Sequence, residues 1–114
     1  MGTLFYADQA ITMDDRTLAH LKVAVVTKLR RGESFTLSWE HGEGEPEGRT
    51  TLWMHESIPL RFSFDQRQSP VLHREWIETI LRSANTTGGI HLTAEDVQTG
   101  PVVGTGDTSD VVEA

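Results

Sequence analysis

Between Asp15 and Asn85 the chain carries two segments of helical period, separated by three stretches that alternate apolar and polar residues. The two periods, about 3.6 and 2, put side chains on different faces and cannot substitute for one another. This order predicts an α+β fold.

The first helical segment starts at Asp14 or Asp15, either of which can cap it and complements the positive end of the helix dipole. Leu18, Leu21, Val25 and Leu29 fall on one stripe, widened by Val26. Lys28, Arg30 and Arg31 occupy the last turn, and Gly32 supplies a left-handed terminal residue. Val23, Val25, Val26 and Thr27 are β-branched and lower intrinsic helicity, so this helix depends on burial.

From Glu33 the period becomes two. Phe35, Leu37 and Trp39 alternate with Thr36, Ser38 and Glu40. His41 to Gly48 is rich in Gly and Glu and reads as a mobile hairpin loop. The returning strand, Thr50 to His55, has Leu52 and Met54 on one side and Thr51, Trp53 and His55 on the other. After Ile58-Pro59, residues Leu60, Phe62 and Phe64 alternate with Arg61, Ser63 and Asp65. Ser69-Pro70 leads into the second helix, whose apolar face is Trp76, Ile77, Ile80, Leu81 and Ala84. Gly88-Gly89 ends it, and Ile90 to Thr93 reads as a last strand. Thr3 to Tyr6 and Ala10 to Met13 read as an N-terminal hairpin turning at Ala7-Asp8-Gln9.

The expectation is one small domain over residues 1–94, with a mostly antiparallel sheet and both amphipathic helices packed on one face. Residues 95–114 hold five acidic and no basic residues and read as an acidic, disordered tail. The net charge of −7 therefore divides into −5 there and −2 over residues 1–94. A nearly neutral domain with an acidic tail lacks the global signature of a nucleic-acid binder.

Cysteine is absent, which excludes disulfides, thiolate nucleophiles and Cys-based zinc sites. No signal peptide and no membrane-length apolar run is visible, so the reading is soluble, cytoplasmic and without a membrane partner.

Four stretches carry a resemblance to a known family. They are Asp14-Asp15-Arg16-Thr17-Leu18-Ala19-His20-Leu21, Lys28-Leu29-Arg30-Arg31-Gly32-Glu33-Ser34-Phe35, Leu52-Trp53-Met54-His55-Glu56-Ser57-Ile58-Pro59-Leu60 and Arg74-Glu75-Trp76-Ile77-Glu78. They resemble small actinobacterial proteins of unknown function, over roughly residues 1–94. Members often carry the name "ATP-dependent DNA ligase". Such ligases place the adenylate on the lysine of Lys-x-Asp-Gly. Lys22 and Lys28 are followed by Val23-Ala24-Val25 and Leu29-Arg30-Arg31, and neither matches. The resemblance implies the fold boundaries and no catalytic residue.

Candidate sites follow from residue types. His20, His41, His55, His73 and His91 are scattered without ligand spacing and read as surface or capping residues, so neither a metal nor a cofactor is expected. An arrangement of His20, Asp14 and Ser34 or Ser38 lacks a Gly-x-Ser-x-Gly elbow, and no catalytic residue is assigned. Lys28, Arg30 and Arg31 form a basic group able to contact an anion or nucleic acid. Trp53, His55 and Arg61 fall on the side of their strands away from the helices, where an outward Trp beside His and Arg makes a recognition patch; the alternative is that Trp53 packs under the first hairpin, the loop or a second copy of the chain. The functional expectation is a non-catalytic binding or self-association module using the outer sheet face, its partner another protein or a second copy. The alternative is a nucleic-acid accessory protein, with a small enzyme third.

Overall fold

The computed structural model describes residues 1–42, 44–92 and 97–99. Its elements are β1 (Gly2–Tyr6), β2 (Gln9–Met13), α1 (Asp15–Arg30), β3 (Phe35–Glu40), β4 (Arg49–Met54), β5 (Leu60–Phe64), α2 (Arg74–Ala84), β6 (Ile90–Leu92) and β7 (Val97–Thr99). This is the expected α+β domain, with one added strand.

The single sheet of the sequence reading is two sheets. One runs β5-β1-β2-β7, all antiparallel, and the other runs β4-β3-β6, with β6 parallel to β3. Consequently the helices do not share one sheet face. α1 lies on β1 and β5, α2 lies on β3 and β6, and the helices pack on each other. A single core joins all four layers: Leu4 and Ile11 from one sheet, Leu37 and Ile90 from the other, Leu21 and Val25 from α1, and Ile80 from α2. Within the segment read as a tail, Val97–Thr99 form β7, paired with Ile11–Met13 of β2. The rest of residues 95–114 lies outside the described residues.

Capping follows the sequence. The Asp14 carboxylate accepts the Arg16 N–H at 3.1 Å and starts α1. At the other end Gly32, at φ 72°, gives its N–H to Leu29, and Glu33 gives its N–H to Lys28. That pair of bonds is a Schellman turn. It folds Glu33 back over the last turn of α1. In the hairpin loop after β3 the His41 ring is hydrogen-bonded through both nitrogens. The His41 ring donates from Nδ1 to the Pro46 carbonyl at 3.0 Å and accepts the Thr50 hydroxyl at 2.8 Å.

Burial of α1 exceeds its apolar stripe. Asp15, Thr17, His20 and Lys28 are buried with Leu18, Leu21 and Val25, because one side faces a sheet and another faces α2. Both helices end in contact with polar groups they must satisfy, and those groups define the sites below.

Candidate functional site around Trp53

The Schellman turn that ends α1 places the Glu33 carboxylate 2.8 Å from the Lys28 ammonium. Lys28 is buried and also donates to the Asn85 side-chain oxygen at the end of α2. Its hydrogen bond and charge, with Arg31 nearby, hold the Glu33 carboxyl below the usual range. The ends of the two helices are thus clamped together through one ammonium.

Beside this clamp lies an open cleft of about 420 Å³. Its walls include Glu33, Thr36, Asn85, Thr86 and Thr87, and Trp53 of β4 stands over it. Trp53 is 57% exposed. It projects outward because its register partner is Thr36 of β3, while its neighbours Leu52 and Met54 turn into the core. Its carbonyl accepts the hydroxyl of buried Tyr6, which ties β4 to the other sheet. The backbone under the indole is therefore fixed while the ring is free. The arrangement offers a flat aromatic face, hydroxyls, an amide and one paired carboxylate. That chemistry suits contact by stacking and hydrogen bonding.

The other sequence-selected residues separate. Arg61 belongs to β5 in the opposite sheet, its guanidinium 4.2 Å above the Phe5 ring. His55 accepts the Ser57 N–H at 3.0 Å and serves the turn after β4. Neither lines the Trp53 cleft. Of the basic group, Arg30 and Arg31 are exposed, but Lys28 is enclosed by its two partners rather than presented to solvent.

The reading of all five histidines as surface or capping residues is corrected at His20, which is completely buried. Its Nδ1 donates to the Arg16 carbonyl at 2.7 Å, and its Nε2 accepts the His73 backbone N–H at 2.8 Å. The ring stacks on Trp76 at 4.1 Å between centroids and near His73 at 5.7 Å. The Arg16 guanidinium donates to the His73 Nε2 at 3.1 Å and lies over Trp76. Burial, with the charges of His73 and Arg16, pushes the His20 pKa down, against the opposing bond to the Arg16 carbonyl. His73 is the N-cap residue of α2, as its position suggested, though its side chain makes no capping bond.

Among the described residues no group of three or more His, Cys, Asp or Glu is placed to hold a metal ion. Among them also, no helix is long and apolar enough to cross a membrane. No curated protein and no solved structure matches the chain. Residues 1–95 match the family described as Domain of unknown function (DUF7882), and the chain belongs to that family.

Proposed function

We propose that the protein is a non-catalytic binding module that works through the outer face of β4, with a second copy of the chain as its partner. The observation that carries this reading is the exposed Trp53 on an edge strand. Large exposed aromatics are enriched among residues that dominate binding energy. β4 pairs only with β3 among the described strands, so its other edge offers strand addition apart from the Trp53 carbonyl, which already takes the Tyr6 hydroxyl. Arg49, Thr51 and Trp53 are exposed along it at alternate positions. Antiparallel addition centred on Thr51 places Trp53 across from Arg49 of the second copy. Each such pair sets a guanidinium beside an indole, an attraction of about 0.5–1 kcal/mol at an exposed site.

The nucleic-acid reading is supported less. Lys28 is occupied by Glu33 and Asn85, which leaves Arg30 and Arg31, the latter with the Glu33 carboxylate close by. Nucleotidyl transfer would require a free lysine in Lys-x-Asp-Gly; Lys28 is ion-paired, and Lys22 is followed by Val23-Ala24-Val25.

Sedimentation across a wide concentration range tests the proposal, with the indole N–H signals of Trp39, Trp53 and Trp76 followed in parallel. The expected result is a mass that rises above 12.7 kDa with concentration and a shift confined to the Trp53 indole. Trp53→Ser is expected to remain a single chain, with stability within about 0.5 kcal/mol of the parent, since the site is a surface one. A parent that stays at the mass of one chain, with an unmoved Trp53 indole, overturns it.

A further inference from the structure

A second cleft, of about 240 Å³, opens between α1 and the segment that follows β5. Its apolar surface comes from Ala19 and Val23 of α1, Phe64 of β5, and Pro70 and Leu72. Among the described residues that line it are two cations, Lys22 and Arg67, and no carboxylate. Neither cation forms an ion pair with a described residue. Both side chains are exposed, so their charges are available to a ligand in the cleft.

The outer wall is held in place at both ends. The Asp15 carboxylate accepts the Gln66 N–H at 3.1 Å, and His20 accepts the His73 N–H at 2.8 Å. Both anchors are buried residues of α1. A wall tied at each end to one helix is pre-formed, and pre-formed sites lose less entropy on binding. Near the far anchor, Val71 and Leu72 are exposed, at 47% and 36%. With Trp53 they are the large exposed hydrophobics among the described residues.

We infer that this cleft binds a small amphiphilic carboxylate, with its hydrocarbon part against Phe64, Val23 and Leu72 and its carboxylate between Lys22 and Arg67. At roughly 30 Å³ for each water-sized unit, the cavity takes a ligand of about eight heavy atoms. That is the size of a short acyl or aryl acid. The site is separate from the Trp53 cleft and does not depend on the reading given there. Two cations flanking one carboxylate supply charge-assisted hydrogen bonds that a neutral analogue of equal length cannot form.

The test is an amide NMR titration of the whole chain with hexanoate and, separately, hexan-1-ol. Hexanoate is expected to give saturable shifts at Ala19, Val23, Phe64 and Leu72. Lys22→Gln with Arg67→Gln is expected to weaken hexanoate at least tenfold and to leave hexan-1-ol unchanged. Both residues are exposed, so the double variant keeps its fold, and its own spectrum verifies that. Absence of saturable shifts at these residues overturns the inference. So does equal hexanoate affinity in parent and variant, or hexan-1-ol binding the parent as tightly as hexanoate.

Discussion

The Nε2 of His20 accepts the backbone N–H of His73 at 2.8 Å, so a titratable side chain within α1 holds the entry to α2. Its other nitrogen is committed as a donor to the Arg16 carbonyl, which fixes the neutral form. The proton that would charge His20 must occupy the nitrogen that His73 uses. Burial first, and then the neighbouring charges, place its folded pKa below the ordinary 6.5. The unfolded chain therefore takes up this proton first as pH falls. Stability from this group is fully present above about pH 6.5 and is lost as pH drops through the lower folded value. Urea unfolding between pH 8 and pH 5 is expected to show the decline. His20→Leu is expected to lower stability at pH 8 by about 1–3 kcal/mol, through loss of its hydrogen bonds, and to make the pH dependence shallower.

Gly89 sits at φ 71°, and a Cβ there would fall on the hydroxyl and carbonyl oxygens of Thr36. Gly89→Ala is expected to cost about 2 kcal/mol or more, combining left-handed strain with a backbone clash. Gly44 has a similar φ of 87° but open space around it. Gly44→Ala is expected to cost only about 1 kcal/mol. Denaturant midpoints of the two variants separate crowding from strain.

The β1–β2 turn contains the converse case. Tyr6 pairs with Gln9, leaving Ala7 and Asp8 as the loop, and Ala7 takes a positive φ of 54°. Two-residue hairpin turns of this kind favour glycine where φ is positive. Ala7→Gly relieves about 1–2 kcal/mol of strain, against about 0.5–1 kcal/mol of added chain entropy. The expected outcome is a thermal midpoint raised by a few degrees.

Ile80 faces the common core from α2. Ile80→Ala is expected to cost about 2–5 kcal/mol, the range for buried aliphatic truncation. Calorimetry reads this as a clear fall in the midpoint, and an unchanged midpoint would place α2 outside the cooperative unit.

Much of this architecture was legible in the residues. Asp14 and Gly32 mark the ends of α1, and the alternation of Leu52 and Met54 with Trp53 correctly turns the indole outward. The division into two sheets was not legible, because alternation tells which face of a strand is buried and not which strand lies beside it. β1 takes β5 as its second neighbour, with Gly2 opposite Phe64, and nothing local records that pairing. For the same reason Trp53 and Arg61 looked adjacent in sequence but belong to different sheets. β7 escaped notice because Val97-Gln98-Thr99 lies in a polar, Gly-rich context. His20 and His73 are 53 residues apart, so their junction has no spacing signature. The available signal was local: His20 lies between Leu18 and Leu21 on a helix that needs burial. Lys28 misled in the opposite sense. Cations in a last helical turn are usually solvated, and only the end of α2 encloses this one.

The placement of β6 and β7 bears on how the chain is made. Residues 90–92 complete one sheet and residues 97–99 complete the other. β1–β2 and β3–β4 are short-range hairpins, but β2 and β3 gain their second neighbours from the same late stretch. Contacts that join distant parts of a chain form slowly, since loop closure precedes any gain. On the ribosome, a nascent chain emerging in order leaves β2 and β3 each with one uncovered edge until residues 90–99 are free to pair.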